Sequence, residues 1–357
     1  MDPALFEENE RTAPTHDERL YADVGSLTCE QGGVIPNVRV AYETWGELSD
    51  AKDNAVLICH ALSGDSHAIG WWERLIGPGK AIDTDQFFVI GTNCLGGCQG
   101  TTGPASLDET GKPYRSRFPI ITVGDMVEVQ ARLMDQLRIE KLLAVAGGSM
   151  GGMQALEWTV RKPGRVEKAF VTASCAAHNA MQIGFNEAAR QAVMRDVRWN
   201  GGNYEEGNEP EGGLAVARMI GHLSFLSEAA FEAKFSRRYQ GKETPEYHLG
   251  TDFQVESYLN YQGEKFTKRF DANSLLYLTK AIDYYELNSF RGSSSEYLFV
   301  SFTSDWIYPS HQSEQLLRMA RSVNLMAEHR IIDLPYGHDA FLLDGEFQGE
   351  YLRAFLS

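Results

Sequence analysis

The chain is poor in cysteine, in basic charge and in long apolar runs, and each shortage excludes something. Its five cysteines, Cys29, Cys59, Cys94, Cys98 and Cys175, are odd in number and sparse for 357 residues. No disulfide framework is expected, and reduced thiols fit best. Cys94 and Cys98 lack a second Cys/His pair at ligand spacing, so no metal site is expected. With 33 basic against 49 acidic side chains the net charge is -16, which argues against non-specific nucleic-acid binding. An anionic small molecule stays possible, because a local pocket can hold phosphate within an acidic protein. No apolar run approaches a membrane span, and the acidic start MDPALFEENERTAPTHDERL has no signal-peptide core. A soluble cytoplasmic protein without a membrane partner is the expectation.

What is present points to a layered α/β protein. Hydrophobic residues make up 43% of the chain and aromatics 11%, enough for a large core. Segments 54–62, 86–93, 142–148 and 166–174 read as buried strands. Between them, Met126, Val129, Leu133, Met134 and Leu137 fall at helical spacing, with Asp125 as the expected cap. A second helix after Ser149 should stop at Pro163 and Gly164. Strands alternating with crossover helices imply a mostly parallel sheet with helices on both faces. After Ser174 the rhythm changes, and helix formers dominate with no strong strand signal. Strands return at 296–305 and 329–335, around the helical stretch QSEQLLRMARSV. A core of residues 1–177 and 287–357, carrying a helical lid of 178–286, is the simplest organisation.

The stretch LAVAGGSMGGMQALEW sets one serine among glycines between a strand and a helix. Gly147-Gly148-Ser149-Met150-Gly151 fits the G-x-S-x-G nucleophile elbow, and the strand and helix it requires flank it. A serine hydroxyl needs a base oriented by a third group, which in such folds follow in the order acid, then histidine. Asp305 at the end of YLFVSFTSD and His338 in PYGHDAF fill those places at strand ends. The bland readings are a helix cap for Asp305 and a solvated loop for His338. HALSGDSHAIGWW offers Ser63, Ser66, His60 and His67, but it follows a strand as an oxyanion loop would. The backbone amides of Leu62 and Met150 are therefore assigned to the oxyanion hole, with His60 and His67 as loop-ordering residues. His222 and His248 gain no catalytic role from their sequence context.

Taken together, LICHALSGDSHAIGWW, GGSMGGMQALEW, SDWIYP and GHDAF resemble the homoserine O-acetyltransferase family of α/β-hydrolase-fold acyltransferases, over nearly the whole chain. The resemblance implies acetyl transfer from acetyl-CoA to the side-chain hydroxyl of L-homoserine, in methionine biosynthesis, through an acyl-serine. It places nucleophile, acid and base on Ser149, Asp305 and His338. It assigns Arg218 to the substrate carboxylate and Asp339 to its amino group, and implies a homodimer joined through the lid, for which the aromatic-rich stretch 258–290 is the candidate. No permanently bound cofactor is implied. Phe225 departs from the family's usual tyrosine, seven positions after the arginine. Succinyl-transferring relatives tend to carry arginine two positions after the acid, where Ile307 stands here; that favours acetyl. Serine as acceptor, a succinyl donor, a serine esterase and a non-catalytic binding module are the alternatives.

Overall fold

The computed structural model describes residues 19–357, so all but the last two residues of the acidic segment read for a signal peptide lie outside the described residues. The order along the chain is β1 (Leu20–Asp23), β2 (Leu27–Thr28), β3 (Val34–Ile35), β4 (Arg39–Trp45), β5 (Ala55–Cys59), α1 (Ala68–Trp71) and β6 (Phe88–Thr92). Then come α2 (Val123–Gln136), β7 (Leu142–Gly148), α3 (Met150–Arg161) and β8 (Val166–Thr172). A run of helices follows: α4 (Ala180–Met194), α5 (Glu211–Phe225), α6 (Glu228–Lys234), α7 (Gln254–Thr267) and α8 (Ala272–Asp283). The chain closes with β9 (Glu296–Phe302), α9 (Ser310–Ser322), β10 (Ala327–Ile332), α10 (Ala340–Leu343) and α11 (Phe347–Leu356).

Eight strands form one sheet in the order β1-β4-β6-β5-β7-β8-β9-β10. From β6 to β10 every pairing is parallel, and only β1 and β4 run antiparallel to their neighbours. Strands β5 and β7 are buried throughout, apart from half-buried Leu143, as strands covered on both faces must be. Met126, Leu133, Met153 and Trp158 of α2 and α3 pack one face of the sheet. Trp72, Phe170, Phe341 and Leu352 pack the other.

Local chemistry sets the boundaries. Helix α2 is capped by Thr122, not by Asp125. The Thr122 hydroxyl accepts from the Asp125 amide (3.0 Å) and the Asp125 carboxylate accepts from the Thr122 amide (2.9 Å), a reciprocal capping box. Helix α3 stops at Arg161, just before Pro163 and Gly164. Strand β9 ends at Phe302, so Asp305 lies beyond it in a turn, and β10 ends at Ile332 rather than 335. Among the described residues no single helix is long and apolar enough to cross a membrane.

Candidate active site

Ser149 links β7 to α3 with φ 55° and ψ -124°. A non-glycine residue held there stores about 1–3 kcal/mol of strain, and the surroundings hold it. Its N–H donates to the carbonyls of Thr172 (3.1 Å) and Ala173 (3.2 Å), and its own carbonyl accepts from the Ser174 hydroxyl (2.8 Å). The flanking glycines act by close approach. A Cβ on Gly147 would lie 2.3 Å from the Gly151 carbonyl, and one on Gly151 would lie 2.0 Å from the Cys59 oxygen. Neither glycine has a positive φ. The elbow therefore needs them for contact between backbones, and the unusual dihedral falls on the serine.

Asp305 and His338 come together from the turns after β9 and β10. His338 Nδ1 and Asp305 Oδ2 are 2.7 Å apart, and both side chains are buried. The other carboxylate oxygen accepts from the amides of Ile307 (3.0 Å) and Tyr308 (2.8 Å), which fixes the carboxylate plane. Gly337, at φ +73°, turns the chain into the short helical turn that carries His338. Tyr308 stacks on the imidazole with centroids 4.8 Å apart and planes at 23°. Phe341 and Phe225 close the ring in at 5.2 and 5.9 Å.

Met150 is the first residue of α3, where an amide has no intrahelical acceptor and the helix dipole is positive. Leu62 sits in the turn after β5, closed by the Gly64 amide on the Ala61 carbonyl (2.9 Å). His60 fixes that turn: its Nδ1 donates to the Ala61 carbonyl (2.7 Å), and its Nε2 accepts from the Cys94 amide (3.0 Å). Burial holds this imidazole below its usual pKa, hence neutral. His67 is bound to Glu43 (2.6 Å), which also takes the Ser66 hydroxyl (2.6 Å). Both histidines are thus engaged in ordering the loop.

A cavity of about 420 Å³ opens on Ser149 and His338 and is lined also by Leu62, Arg218, Ile307 and Asp339. Arg218, on α5, lies over Phe266 (4.9 Å) and reaches the Ser63 hydroxyl (3.4 Å). Burial and the neighbouring Arg269 push its guanidinium down to about 10, against the pull of Asp339, so it stays charged near neutrality. Burial pushes the Asp339 carboxyl up, opposed by His338 and Arg218. Phe225 presents a ring to the cavity and no hydroxyl, and Ile307 is buried against it.

Sequence reading missed a second buried chain beside the first. His178 Nδ1 meets Asp283 Oδ1 (2.9 Å) and its Nε2 meets the Tyr308 hydroxyl (2.7 Å). Asp283 is also held by Arg190 (2.7 Å) and Asn186 (2.7 Å). The partners stand 105 and 130 residues apart, so no local pattern announces them. Of the thiols read for metal, Cys94 is buried, and burial with Cys98 nearby pushes it up to about 12. His248 sits near Glu246 and Asp252, but the Lys242 ammonium already pairs with both carboxylates.

Comparison with known proteins identifies the fold and the family. The family model of the alpha/beta hydrolase fold matches residues 54–344. The homoserine O-acetyltransferase of Solidesulfovibrio magneticus is 51% identical over 352 residues, covering 92% of this chain and 89% of that protein. That of Desulfotalea psychrophila is 47% identical, covering 93% and 91%. Among solved structures, the homoserine O-acetyltransferase from Bacillus anthracis superposes with a TM-score of 0.88 at 29% identity, over 95% of this chain and 97% of that one. Esterase E22 superposes with the same TM-score of 0.88 at 30% identity, over 95% of this chain and 100% of that one. The fold is therefore shared between transferases and hydrolases, and sequence identity over nearly full length decides the family. The chain belongs to the homoserine O-acetyltransferase family of the α/β-hydrolase fold.

Proposed function

We propose that the chain transfers an acetyl group from acetyl-CoA to the side-chain hydroxyl of L-homoserine through an acetyl-Ser149 intermediate, a step of methionine biosynthesis. The observation that carries the reading is a cation and a carboxylate, Arg218 and Asp339, both half-buried in the cavity that opens on Ser149 and His338. Water as acceptor needs neither charge. An amino acid needs both, because a guanidinium pairs in two places with a carboxylate and a carboxylate holds an ammonium.

In this reading His338 takes the Ser149 proton at Nε2, since Nδ1 is engaged with Asp305. Ser149 attacks the thioester, and the Met150 and Leu62 amides receive the oxyanion. The tetrahedral intermediate expels CoA, whose sulfur takes the proton from His338. The homoserine hydroxyl then gives its proton to His338 and attacks the acetyl-serine, which restores Ser149. Lys234, Lys265 and Arg269 line the same cavity from the helical segment, a local positive lining that suits the phosphates of CoA in an acidic protein. Ile307 offers no charge to a succinyl carboxylate, which favours acetyl. Residues 178–286 serve as the lid that keeps water from the acyl-enzyme. Val216, Leu223 and Tyr261, exposed on α5 and α7, support a homodimer through that lid in a cytoplasmic enzyme. Most other aromatics of 258–290, such as Phe266, Phe270 and Phe290, are buried internally.

The test is kinetic and chemical. Parallel initial-velocity lines are expected, with an acetyl group on Ser149 by mass spectrometry after incubation with acetyl-CoA alone, and neither in Ser149→Ala. Intersecting lines with no acetylated serine would sink the scheme. Hydrolysis is the second reading, favoured by the equal superposition of esterase E22. Acetate formed as fast with L-homoserine as without it would favour that reading.

A further inference from the structure

Two side chains of the cavity have no part in the scheme above. Helix α5 carries Arg218 and His222 one turn apart, hence on one face. Tyr258 approaches from α7, and its hydroxyl lies 3.2 Å from His222 Nδ1, with the rings edge to face at 5.5 Å. Tyr258 also packs on Phe235 (4.9 Å), and the Lys234 ammonium sits 4.5 Å over its ring. Both His222 and Tyr258 line the cavity with Arg218 and Asp339. His222 is 7% exposed, and its Nε2 has no hydrogen-bond partner among the described residues.

We infer that Tyr258 is a third contact for the acceptor amino acid, its phenolic oxygen accepting a hydrogen bond from the substrate ammonium beside Asp339, with His222 as the positioning residue that sets the direction of that bond. The inference rests on the reading of the acceptor as an amino acid.

The direction follows from acid–base chemistry. Burial, with Arg218 and Lys234 nearby, pushes the His222 imidazole down to about 2, so it is neutral at working pH. A neutral imidazole nitrogen is a better base than a phenol oxygen, and a phenol is a better acid than an imidazole N–H. The phenolic proton is therefore donated to Nδ1, and the imidazole carries its own proton on Nε2. The Tyr258 oxygen keeps only lone pairs for the cavity. An amino acid held by its carboxylate on Arg218 offers one group with donors to spare, its ammonium, which has three. Asp339 takes one of them, and an acceptor locked as an acceptor suits another. A carboxylate pointing at that oxygen would find no proton there, so the pair also selects which end of the amino acid faces α7.

The experiment compares L-homoserine with 4-hydroxybutanoate, which keeps the hydroxyl and the carboxylate but lacks the ammonium, each measured as acceptor and as inhibitor competing with L-homoserine. Tyr258→Phe should raise KM for L-homoserine about 10-fold, as loss of one hydrogen bond to a charged group does, and leave the constant for the deaminated analogue in place. His222→Leu should reproduce that pattern, and His222→Asn, which keeps an acceptor near Nδ1, should restore KM toward wild type. An equal rise for both acceptors would mean packing and overturn the inference, as would no rise for either. Equal behaviour of His222→Asn and His222→Leu would remove His222 from it. A wild-type chain that does not acetylate L-homoserine overturns the parent reading as well, whereas an active wild type with an unaltered Tyr258→Phe overturns this inference alone.

Discussion

The molecule holds two carboxylate–imidazole pairs side by side, and their difference separates the pair proposed to react from the one proposed to be structural. In each, a buried aspartate holds Nδ1 of a histidine, at 2.7 Å for Asp305–His338 and 2.9 Å for Asp283–His178. Asp283 is charge-compensated by Arg190, and His178 gives its second nitrogen to the Tyr308 hydroxyl. Both nitrogens of His178 are engaged, and the Tyr308 hydroxyl that takes the second also reaches the Ser149 side chain. Asp305 has two backbone amides and no cation partner, and no hydrogen bond among the described residues takes up His338 Nε2. That nitrogen lines the cavity beside a serine in a strained conformation. Tyr308 belongs to both: its amide supports Asp305, its ring stacks on His338 and its hydroxyl closes the second chain. A carboxylate–imidazole pair is thus not by itself a catalytic signature. What matters is whether the far nitrogen is left open toward a nucleophile.

The contrast breaks if the two aspartates respond alike to the same substitution. Asp305→Asn should lower kcat by about 10⁴-fold, because the amide no longer orients the base or supports its cationic form. Its thermal midpoint should move little, since Asn still accepts from the Ile307 and Tyr308 amides. Asp283→Asn should do the reverse. Arg190 is 2% exposed and would keep only the half-exposed Glu187 carboxylate (3.0 Å) as counter-charge, so a loss of about 3 kcal/mol in stability is expected, with kcat falling less than about tenfold. Steady-state kinetics and denaturant melts of both variants decide this, and equal falls in kcat would erase the distinction.

Stability against pH sharpens it. For Asp283, burial would raise the carboxyl, but hydrogen bonds from His178, Asn186 and Arg190 outweigh it and hold the pKa low. A folded value below the unfolded one near 3.9 adds stability that is present above about pH 4 and is lost as pH falls through the folded value. Wild type should therefore lose its advantage over Asp283→Asn as acid is added. A gap that stays constant down to pH 3 would show that shape rather than charge holds this chain together.

The strands that carry the elbow were legible because they are buried on both faces and read as continuous apolar runs, β5, β7 and β8 above all. That Ser149, Asp305 and His338 would meet at one edge of the sheet was legible because such sheets present their turns at strand ends, in a fixed order. The short antiparallel edge was not: β1 is mostly exposed and carries no apolar run. Thr122 was overlooked as a cap because Asp125 is an equally good capping residue, and only the reciprocal bonds tell them apart. His178, Asp283, His222 and Tyr258 were illegible for a different reason. Asp283, His222 and Tyr258 sit on helices and His178 just before α4, and each finds its partner on another element or in a distant turn. Periodicity reports which face of a helix is apolar, and it is silent on which polar side chain that face will meet.

Asp339 extends the comparison to a third carboxylate, one that is neither compensated like Asp283 nor bound to amides like Asp305. Burial raises its pKa, and His338, Arg218 and Lys234 only partly offset this, while Asp305 adds to it. A folded value above the unfolded one near 3.9 means that the ionised group opposes folding at neutral pH. That opposition fades as pH falls through the folded value and is gone below the unfolded one. Asp339→Asn should therefore melt above wild type at pH 7, by about 1–3 °C for a chain of this size, with the gap closing toward pH 4. The same variant should lose use of L-homoserine while still forming the acetyl-enzyme. A stabilised, acylated and transfer-deficient protein would mark Asp339 as a charge kept against stability for the sake of its substrate. A lower midpoint at pH 7 would mean that Arg218 outweighs burial, and that the pair is structural in the way Asp283 and Arg190 are.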